Sequence, residues 1–409
     1  MILEYECVSC GFRLKAAQPV YQCPKCTAKQ TEQSSGFRKG NLILVQPDTV
    51  SGTPGEQAVI SHMLPYYPGS LPAFPAGGTP LSKPTRLCRR YGINGLFFKN
   101  DYQNPSGSLK DRASLLVALQ AIDLGEKTIA LASTGNAGSA MACAGAAAGL
   151  DIILFVPETA PRAKLIQAIL YGACVIPLRG TYDDAFRLSI EYSSASGCIN
   201  RNTGYNPLTL EGKKSAALEI YNQLSGRPPD VIYIPAGDGV IFSGVYKGFS
   251  DLKKAGFIRT VPKLVLVQAE GSNMIARGFN TGVEQTDITP NTIADSISVA
   301  SPASGELALK ALVETGGRAV EVSDKEIQTA QIELCREAGA FVEPSSAAAW
   351  AGFRADYPNL DPTSTAVVLL TGAGFKDIDE ADSLVEIPPS CKAEIGAVTE
   401  YLSTRSRTC

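Results

Sequence analysis

Histidine is almost missing from this chain: His62 is the one imidazole in 409 residues. A single histidine excludes a His-rich metal centre and argues against a His-based catalytic triad. Between Ser61 and Met63, and close to Pro65, it reads as a loop residue. An excess of charge of one sign is missing too. Thirty-seven Lys and Arg stand against 40 Asp and Glu, a net charge of −3, so no global field draws the protein to nucleic acid or to an anionic membrane. Long apolar runs are also lacking. The longest weakly polar stretch, 137–150, is about 14 residues made mostly of Ala and Gly, too short and too small to span a bilayer. The first residues, Met-Ile-Leu-Glu-Tyr-Glu, lack the basic and then apolar regions of a secretory leader. No internal repeat or low-complexity segment is evident. These absences leave an expectation of neither nucleic-acid nor membrane partners.

What is present suits a large folded enzyme. The length allows two or three domains with ample core. Eleven cysteines, an odd number scattered over a long chain, point to a reducing cytoplasm rather than a disulfide framework. Four of them form a pattern: Cys7 and Cys10, then Cys23 and Cys26, a C-x2-C-x12-C-x2-C spacing. Two such knuckles can place four thiolates around zinc and so stabilise a segment of forty residues too small to build a core of its own. The expectation is a zinc-ribbon-like segment over 1–40 with a structural, not catalytic, zinc; a metal-free relic is the alternative. Few basic residues accompany it, which argues against a nucleic-acid ribbon.

Beyond a Pro- and Gly-rich connection at 47–85, strands and helices alternate. Strands are expected at 128–132, 151–156, 175–178, 231–234, 264–269 and 366–370, and helices between them. Ser323 and Glu326 form a capping box for a helix reaching about 338. Alternation with near-continuous apolar strands means α/β, built on buried parallel sheets. One stretch stands out, Asn104-Pro105-Ser106-Gly107-Ser108-Leu109-Lys110. Two turn-forming pairs precede Ser108, read as the N-cap of a helix through Leu115, Leu116, Leu119 and Ile122 that closes at Gly125. Lys110 would lie at the positive end of that helix, a poor place for a cation.

Ligands collect at the carboxyl ends of strands in open α/β sheets, and three loops occupy such positions. Ser133-Thr134-Gly135-Asn136 offers hydroxyls, an amide and free N–H groups at a helix start, with plain N-capping as the competing reading. Gly237-Asp238-Gly239-Val240-Ile241 can wrap backbone N–H groups around a phosphate, though a tight turn explains it nearly as well, and no Lys-Ser or Lys-Thr follows as a nucleotide loop requires. Thr371-Gly372-Ala373-Gly374 puts a hydroxyl beside space for something flat. A lysine nucleophile, an anion cup and polar groups able to address a ring together suit pyridoxal phosphate.

The lysine stretch resembles that of the threonine synthase branch of the fold-type-II, tryptophan synthase β-like, pyridoxal-phosphate enzymes. The resemblance runs from the ribbon through Gly77-Gly78-Thr79-Pro80-Leu81, Leu210-Glu211-Gly212-Lys213, Gln268-Ala269-Glu270-Gly271 and Glu343-Pro344-Ser345-Ser346-Ala347 to Leu370-Thr371-Gly372. It implies two open, mostly parallel-sheet domains: a large cofactor domain of 41–78 and 206–390, and a smaller mobile one of 79–205 carrying the lysine, with 391–409 as a tail. It further implies that Lys110 holds the cofactor and moves protons, and that Asn136 meets the ring hydroxyl. Residues 237–241 would cup the phosphate, Thr371 would face the pyridine nitrogen, and Ser133, Thr134 and Gly135 would receive the substrate carboxylate. The implied reaction turns O-phosphohomoserine and water into threonine and phosphate, in a homodimer acting on a small amino acid. Two positions depart from the family. Ala137 follows the Ser-Thr-Gly-Asn loop where a threonine is usual, and Thr209 stands where an arginine for the substrate phosphate is usual. A neutral hydroxyl cannot replace that contact; Arg201, Lys213, Lys214, Arg162 and Lys164 are the nearby cations. A dehydratase of threonine or serine, or a β-replacement enzyme, is the rival activity, and a non-catalytic zinc-ribbon binding protein the rival of a different class.

Overall fold

The computed structural model describes residues 1–29, 37–46, 62–283 and 288–404. Of the connection expected at 47–85, residues 47–61 lie outside the described residues, as do 30–36 of the ribbon segment and 405–409 of the tail. Three sheets organise the chain. At the N-terminus, β1 (Leu3–Cys7), β2 (Arg13–Ala16) and β3 (Leu42–Leu44) make an antiparallel sheet in the order β2-β1-β3.

The largest sheet draws on β4 (Leu81–Ser82), β5 (Gly95–Asn100), β10 (Val231–Pro235), β11 (Lys263–Ala269), β12 (Arg318–Val322) and β13 (Thr365–Leu370), in the order β12-β11-β10-β13-β5-β4. Only the edge strand β4 runs antiparallel. Every residue of β10 is buried, as a strand covered on both faces requires. A four-stranded parallel sheet holds β6 (Thr128–Ala132), β7 (Asp151–Pro157), β8 (Cys174–Leu178) and β9 (Ile199–Asn200), ordered β8-β7-β6-β9.

The fold is therefore α/β with two mostly parallel sheets. The boundary expected at 79 needs correction. β4 and β5 belong to the large sheet, because β5 pairs along its full length with β13, so the smaller sheet comes from 128–200 alone.

The helices are α1 (Pro24–Thr27), α2 (Thr85–Tyr91), α3 (Lys110–Leu124), α4 (Asn136–Ala148), α5 (Arg162–Leu170), α6 (Tyr182–Ser196), α7 (Leu208–Gln223), α8 (Val240–Lys254), α9 (Met274–Thr281), α10 (Gly305–Thr315), α11 (Asp324–Ala338), α12 (Pro344–Asp356), α13 (Ile378–Asp382) and α14 (Ile395–Thr404). The capping box at Ser323 and Glu326 forms as expected. α3 packs on α7 from the large unit and on α4 from the small one, which puts Lys110 at the junction of the two. Gly212 makes the α3–α7 approach feasible: a β-carbon there would lie 2.3 Å from the Arg112 carbonyl oxygen. On the opposite face of the large sheet, Trp350 is fully buried, stacked on Phe353 (centroids 4.6 Å) and edge-on to Phe98 (5.4 Å).

The N-terminal sheet is not a separate bead. Leu3, Tyr5, Cys7, Cys23, Phe37, Leu42 and Leu44 share the main core. Asn41 donates to the Ala303 carbonyl, Ser9 to Glu306, and the Phe37 ring lies against Gly305. On the other side the Tyr21 hydroxyl accepts the Asn200 N–H at 2.9 Å and its ring stacks on Tyr205. Among the described residues no helix is long and apolar enough to cross a membrane.

Candidate active site

The carboxyl ends of β5, β6, β10 and β13 lead into the loops singled out in the sequence, where switch-point ligands bind. The lysine loop is fastened to the one after β13 by three contacts: Leu109 N–H to the Thr371 carbonyl (2.8 Å), Ala373 N–H to the Gly107 carbonyl (2.9 Å) and a bridge between Ser108 and Gly372. Before it, the Asn104–Gly107 turn closes at 2.8 Å and Ser106 donates its N–H and hydroxyl to Asp111. Lys110 is thus presented beside Thr371 by backbone alone.

Ser108 does not cap α3. The cap position is Leu109, with helical dihedrals and no side-chain bond, because residues 107–109 are already engaged as a strand-like partner of 371–373. The Ser108 hydroxyl is left buried without a hydrogen-bond partner.

Electrostatics at the lysine favour a neutral amine. Burial pushes Lys110 below the ordinary lysine range, against the attraction of Asp238 and with the help of Arg201. Burial would raise Asp238, but Lys213 and Lys110 together hold its carboxyl below the usual range. Asp238 accepts the Val240 N–H (2.9 Å) and its carbonyl accepts the Ser304 N–H (2.8 Å), which shapes the 237–241 turn. Gly239 has φ +78° there, a conformation that favours glycine. The first turn of α8 follows, with Val240 and Ile241 at its start, so its amides open toward the loop.

Asn136 donates to both oxygens of Glu343 (3.0 and 2.9 Å) and to Ser296 Oγ (3.0 Å). Glu343 is buried, and its carboxyl is pushed up by burial, less so for the Asn136 bond. Its backbone N–H donates to the Gly372 carbonyl at 3.0 Å, joining this carboxylate to the Thr371 loop. Thr371 itself is positioned by its N–H on Ser346 Oγ (2.8 Å). Ser133 Oγ accepts the N–H groups of Gly138 (3.0 Å) and Gly135 (3.3 Å), so its hydroxyl caps α4, while Thr134, Gly135 and Ala137 remain partly open beside it. A cleft of about 510 Å³ opens over these groups, lined by Asn104, Ser106, Gly135, Asn136, Lys164 and Glu343.

Lys110, Asn136, Thr371, 133–137 and 237–241 are therefore brought to one region; Thr209 borders it beside Val240, with its hydroxyl turned to its own backbone. It lies in the first turn of α7, its hydroxyl donating to the Asn206 carbonyl (2.7 Å) and accepting from Gly204 N–H (3.2 Å), against a small cavity shared with Val8, Leu42 and Ile43. Glu343 was missed, although its Glu-Pro-Ser setting is a readable helix start. The buried Lys213 and Arg201 near Lys110 could not be told from other lysines and arginines by spacing.

The residues present fit pyridoxal phosphate. A lysine of lowered basicity, an orphaned hydroxyl at Ser108, a helix start behind a glycine turn and a strand-end threonine gather at the strand ends beside the cleft.

In the N-terminal segment, the sulfurs of Cys7, Cys10, Cys23 and Cys26 lie within 4.8 Å of one another. Cys7–Cys26 and Cys10–Cys23 are each 3.7 Å apart. Zinc–sulfur bonds of about 2.3 Å in a tetrahedron place sulfurs about 3.8 Å apart.

The fold has counterparts among solved structures. The processed form of threonine deaminase isoform 2 from Solanum lycopersicum superposes with a TM-score of 0.64 at 21% identity, covering 90% of this chain and 96% of that one. A fungal L-serine ammonia-lyase from Rhizomucor miehei gives 0.64 at 23% identity, over 75% and 97%. Curated relatives align further in sequence. Threonine synthase of Methanosarcina acetivorans is 32% identical over 98% of this chain and 99% of its own length, and threonine synthase of Methanocaldococcus jannaschii is 35% identical over 80% and 82%. The pyridoxal-phosphate dependent enzyme family matches residues 73–372, the span from the edge of the large sheet to the Thr371 loop. With the lysine, the glycine turn and the strand-end threonine all inside that span, the chain belongs to the pyridoxal-phosphate-dependent enzymes and, among them, to the threonine synthase family.

Proposed function

We propose that the protein is a pyridoxal-phosphate-dependent carbon–oxygen lyase acting as a threonine synthase, converting O-phosphohomoserine and water into threonine and phosphate. The observation that carries this reading is the backbone zipper of 107–109 onto 371–373, which sets Lys110 and Thr371 side by side in a chain that a relative of this name matches over 98% of its length. Lys110, Asn136, Thr371 and 237–241 are the residues that would hold the cofactor. Bound there, pyridoxal phosphate supplies an aldehyde that captures amines and a ring that withdraws electrons from the adjacent carbon.

The chain supplies the rest. Burial lowers the basicity of the Lys110 amine, which favours it as a nucleophile, and the same Nζ would take the proton from Cα. Amides of the first turn of α8 and the 237–239 loop receive phosphate oxygens. Thr371 would offer the ring nitrogen a neutral hydroxyl rather than a carboxylate, and so would not itself hold a proton there. Thr134, Gly135 and the start of α4 meet the substrate carboxylate; Ser133 supports them by capping. Closure of the smaller unit, narrowed here to the sheet of 128–200, would shut out water. Lys164 to Asp295 (2.7 Å) and Lys376 to Ser139 (2.7 Å) already reach across the cleft.

Zinc in the cysteine cluster, a homodimer and a cytoplasmic setting go with this reading; metal analysis and size-exclusion chromatography check the first two. The decisive experiment supplies O-phosphohomoserine, threonine, serine and O-phosphoserine in parallel and assays phosphate, ammonia and new amino acids. Equal phosphate and threonine from O-phosphohomoserine are expected, and Lys110→Ala should lose both that activity and the visible absorption of the bound cofactor. Ammonia from threonine or serine with no threonine formed would sink the proposal in favour of a dehydratase.

A further inference from the structure

Position 209 cannot read a phosphate, since its hydroxyl is committed to the backbone of its own turn. The structure sorts the cations that could stand in. Lys214 is saturated by Glu211 and Asp251. Lys164 is paired with Asp295, and Arg162 is exposed. Lys376, on the cleft itself, is engaged by the Ser106 carbonyl, Ser139 Oγ and Gln167 Oε1. Lys213 and Arg201 remain, each fully buried. The Lys213 amine has no hydrogen-bond partner among the described residues. Arg201 is met there by hydroxyls alone, Thr203 Oγ1 at 2.6 Å and Ser114 Oγ at 3.4 Å.

Their placement is not arbitrary. Lys213 follows Gly212, which touches the Arg112–Ala113 turn of α3 just after Lys110, and a β-carbon at Gly244 of α8 would lie 2.8 Å from its own Cβ. It therefore stands where α3, α7 and α8 cross, between the catalytic lysine and the glycine turn. Arg201 continues from β9, and its backbone N–H is held by the Ala130 carbonyl at 2.9 Å, at the end of the smaller sheet. Asp238 is the acid that faces Lys213, Lys110 and Arg201 together. One carboxylate is thus shared among three basic groups, and among the described residues neither Lys213 nor Arg201 hydrogen-bonds a carboxylate of its own, so the cluster is short of negative charge.

We propose that Lys213 and Arg201 form the subsite for the phosphate of the substrate, in place of an arginine at 209. This deepens the threonine synthase reading and rests on it. Burial lowers the basicity of both groups, Lys213 far below its usual range and Arg201 to about 10, and a bound dianion would raise it again. The cofactor phosphate is met instead by the amides at the start of α8, more than a turn before Gly244.

The test compares holoenzyme of wild type, Lys213→Gln, Lys213→Arg and Arg201→Gln. KM for O-phosphohomoserine should rise at least tenfold in K213Q and R201Q, with a smaller change in kcat and partial recovery in K213R. Inorganic phosphate should inhibit wild type competitively and these two variants at least tenfold more weakly. Cofactor affinity, from titration of the apoenzyme by absorbance, should stay within about twofold. A K213Q whose cofactor affinity falls tenfold, with KM and phosphate inhibition unchanged, would assign the lysine to the cofactor phosphate and overturn the proposal. A wild type inert toward O-phosphohomoserine would remove the parent reading yet leave the subsite testable. Inorganic phosphate shifting the cofactor spectrum of wild type but not of K213Q would support it, and equal response would refute it. Should K213Q fail to fold, Lys213→Met serves the same comparisons.

Discussion

Charge pairing differs sharply between two neighbouring groups of residues. Arg112 forks onto Asp101 (2.6 and 2.8 Å) and Glu219 (2.6 and 2.8 Å), and Lys99 adds a second cation to Glu219 at 2.6 Å. Two cations meet two carboxylates, all with low exposure. Burial alone would raise Glu219, but Arg112 and Lys99 hold it down to about 2. Because the folded value lies below the ordinary 4.5, the stabilisation is present above that pH and fades as pH falls from 4.5 toward 2. Glu219→Gln should cost about 3–5 kcal/mol in urea unfolding at neutral pH, through the charge left unpaired, and should flatten the stability profile in that acid window. An unchanged profile would mean the network contributes no net stability. Lys213, by contrast, has no hydrogen-bond partner among the described residues and only a share of the field of Asp238. Lys213→Met should leave the substrate-free protein about as stable as wild type at pH 7, relief from burying an amine offsetting the lost attraction to Asp238. A large drop in urea midpoint would show that the amine is structural. Sequence could nominate Lys110, Asn136 and Thr371 because turn and strand-end chemistry is local. It could not rank Lys213 above Lys214, because adjacent lysines on one helix differ only in what faces them.

Among the elements, α3 and its two clamps decide how Lys110 is held. One clamp is the 107–109 zipper, the other the α3–α7 crossing at Gly212, where a β-carbon would lie 2.3 Å from the Arg112 carbonyl and 2.6 Å from Ala113 Cα. Gly212→Ala must push α7 away, an overpacking cost of about 1–3 kcal/mol. Loss of cofactor on dialysis should quicken with it, while far-UV circular dichroism stays near wild type. Periodicity and capping rules located β6, the small-residue helix α4 that closes at Gly149, and α11 with its capping box, since each is decided within a dozen or so residues. The Ser108 cap failed because its loop pairs with residues some 260 positions later, which no local pattern encodes. β5 likewise pairs at long range: its partner β13 comes after the entire small sheet, so the unit of 79–205 that the resemblance implied does not coincide with one sheet. Thr209 lies in the first turn of α7, which begins at Leu208, and that turn claims its hydroxyl.

At the scale of the molecule, the N-terminal segment lies behind the site. Its residue Asn41 holds the Ala303 carbonyl, and the next N–H, that of Ser304, holds the Asp238 carbonyl in the glycine turn. Tyr21 meanwhile braces Asn200, the residue before Arg201. Two hydrogen bonds thus separate the cysteine cluster's sheet from the loop assigned to the cofactor phosphate. If the four thiolates hold the proposed zinc, stripping it with a chelator, or replacing Cys7 and Cys10 with serine, should therefore raise the rate of cofactor loss several-fold as well as lowering thermal stability. Cofactor retention equal to wild type in the metal-free protein would show the segment to be an independent brace. Equilibrium linkage makes the coupling run both ways: if metal tightens cofactor binding, cofactor must tighten metal binding by the same factor. Holoenzyme should then yield its metal to a chelator more reluctantly than apoenzyme, so that four cysteines at one end of the chain become a reporter of occupancy at the other.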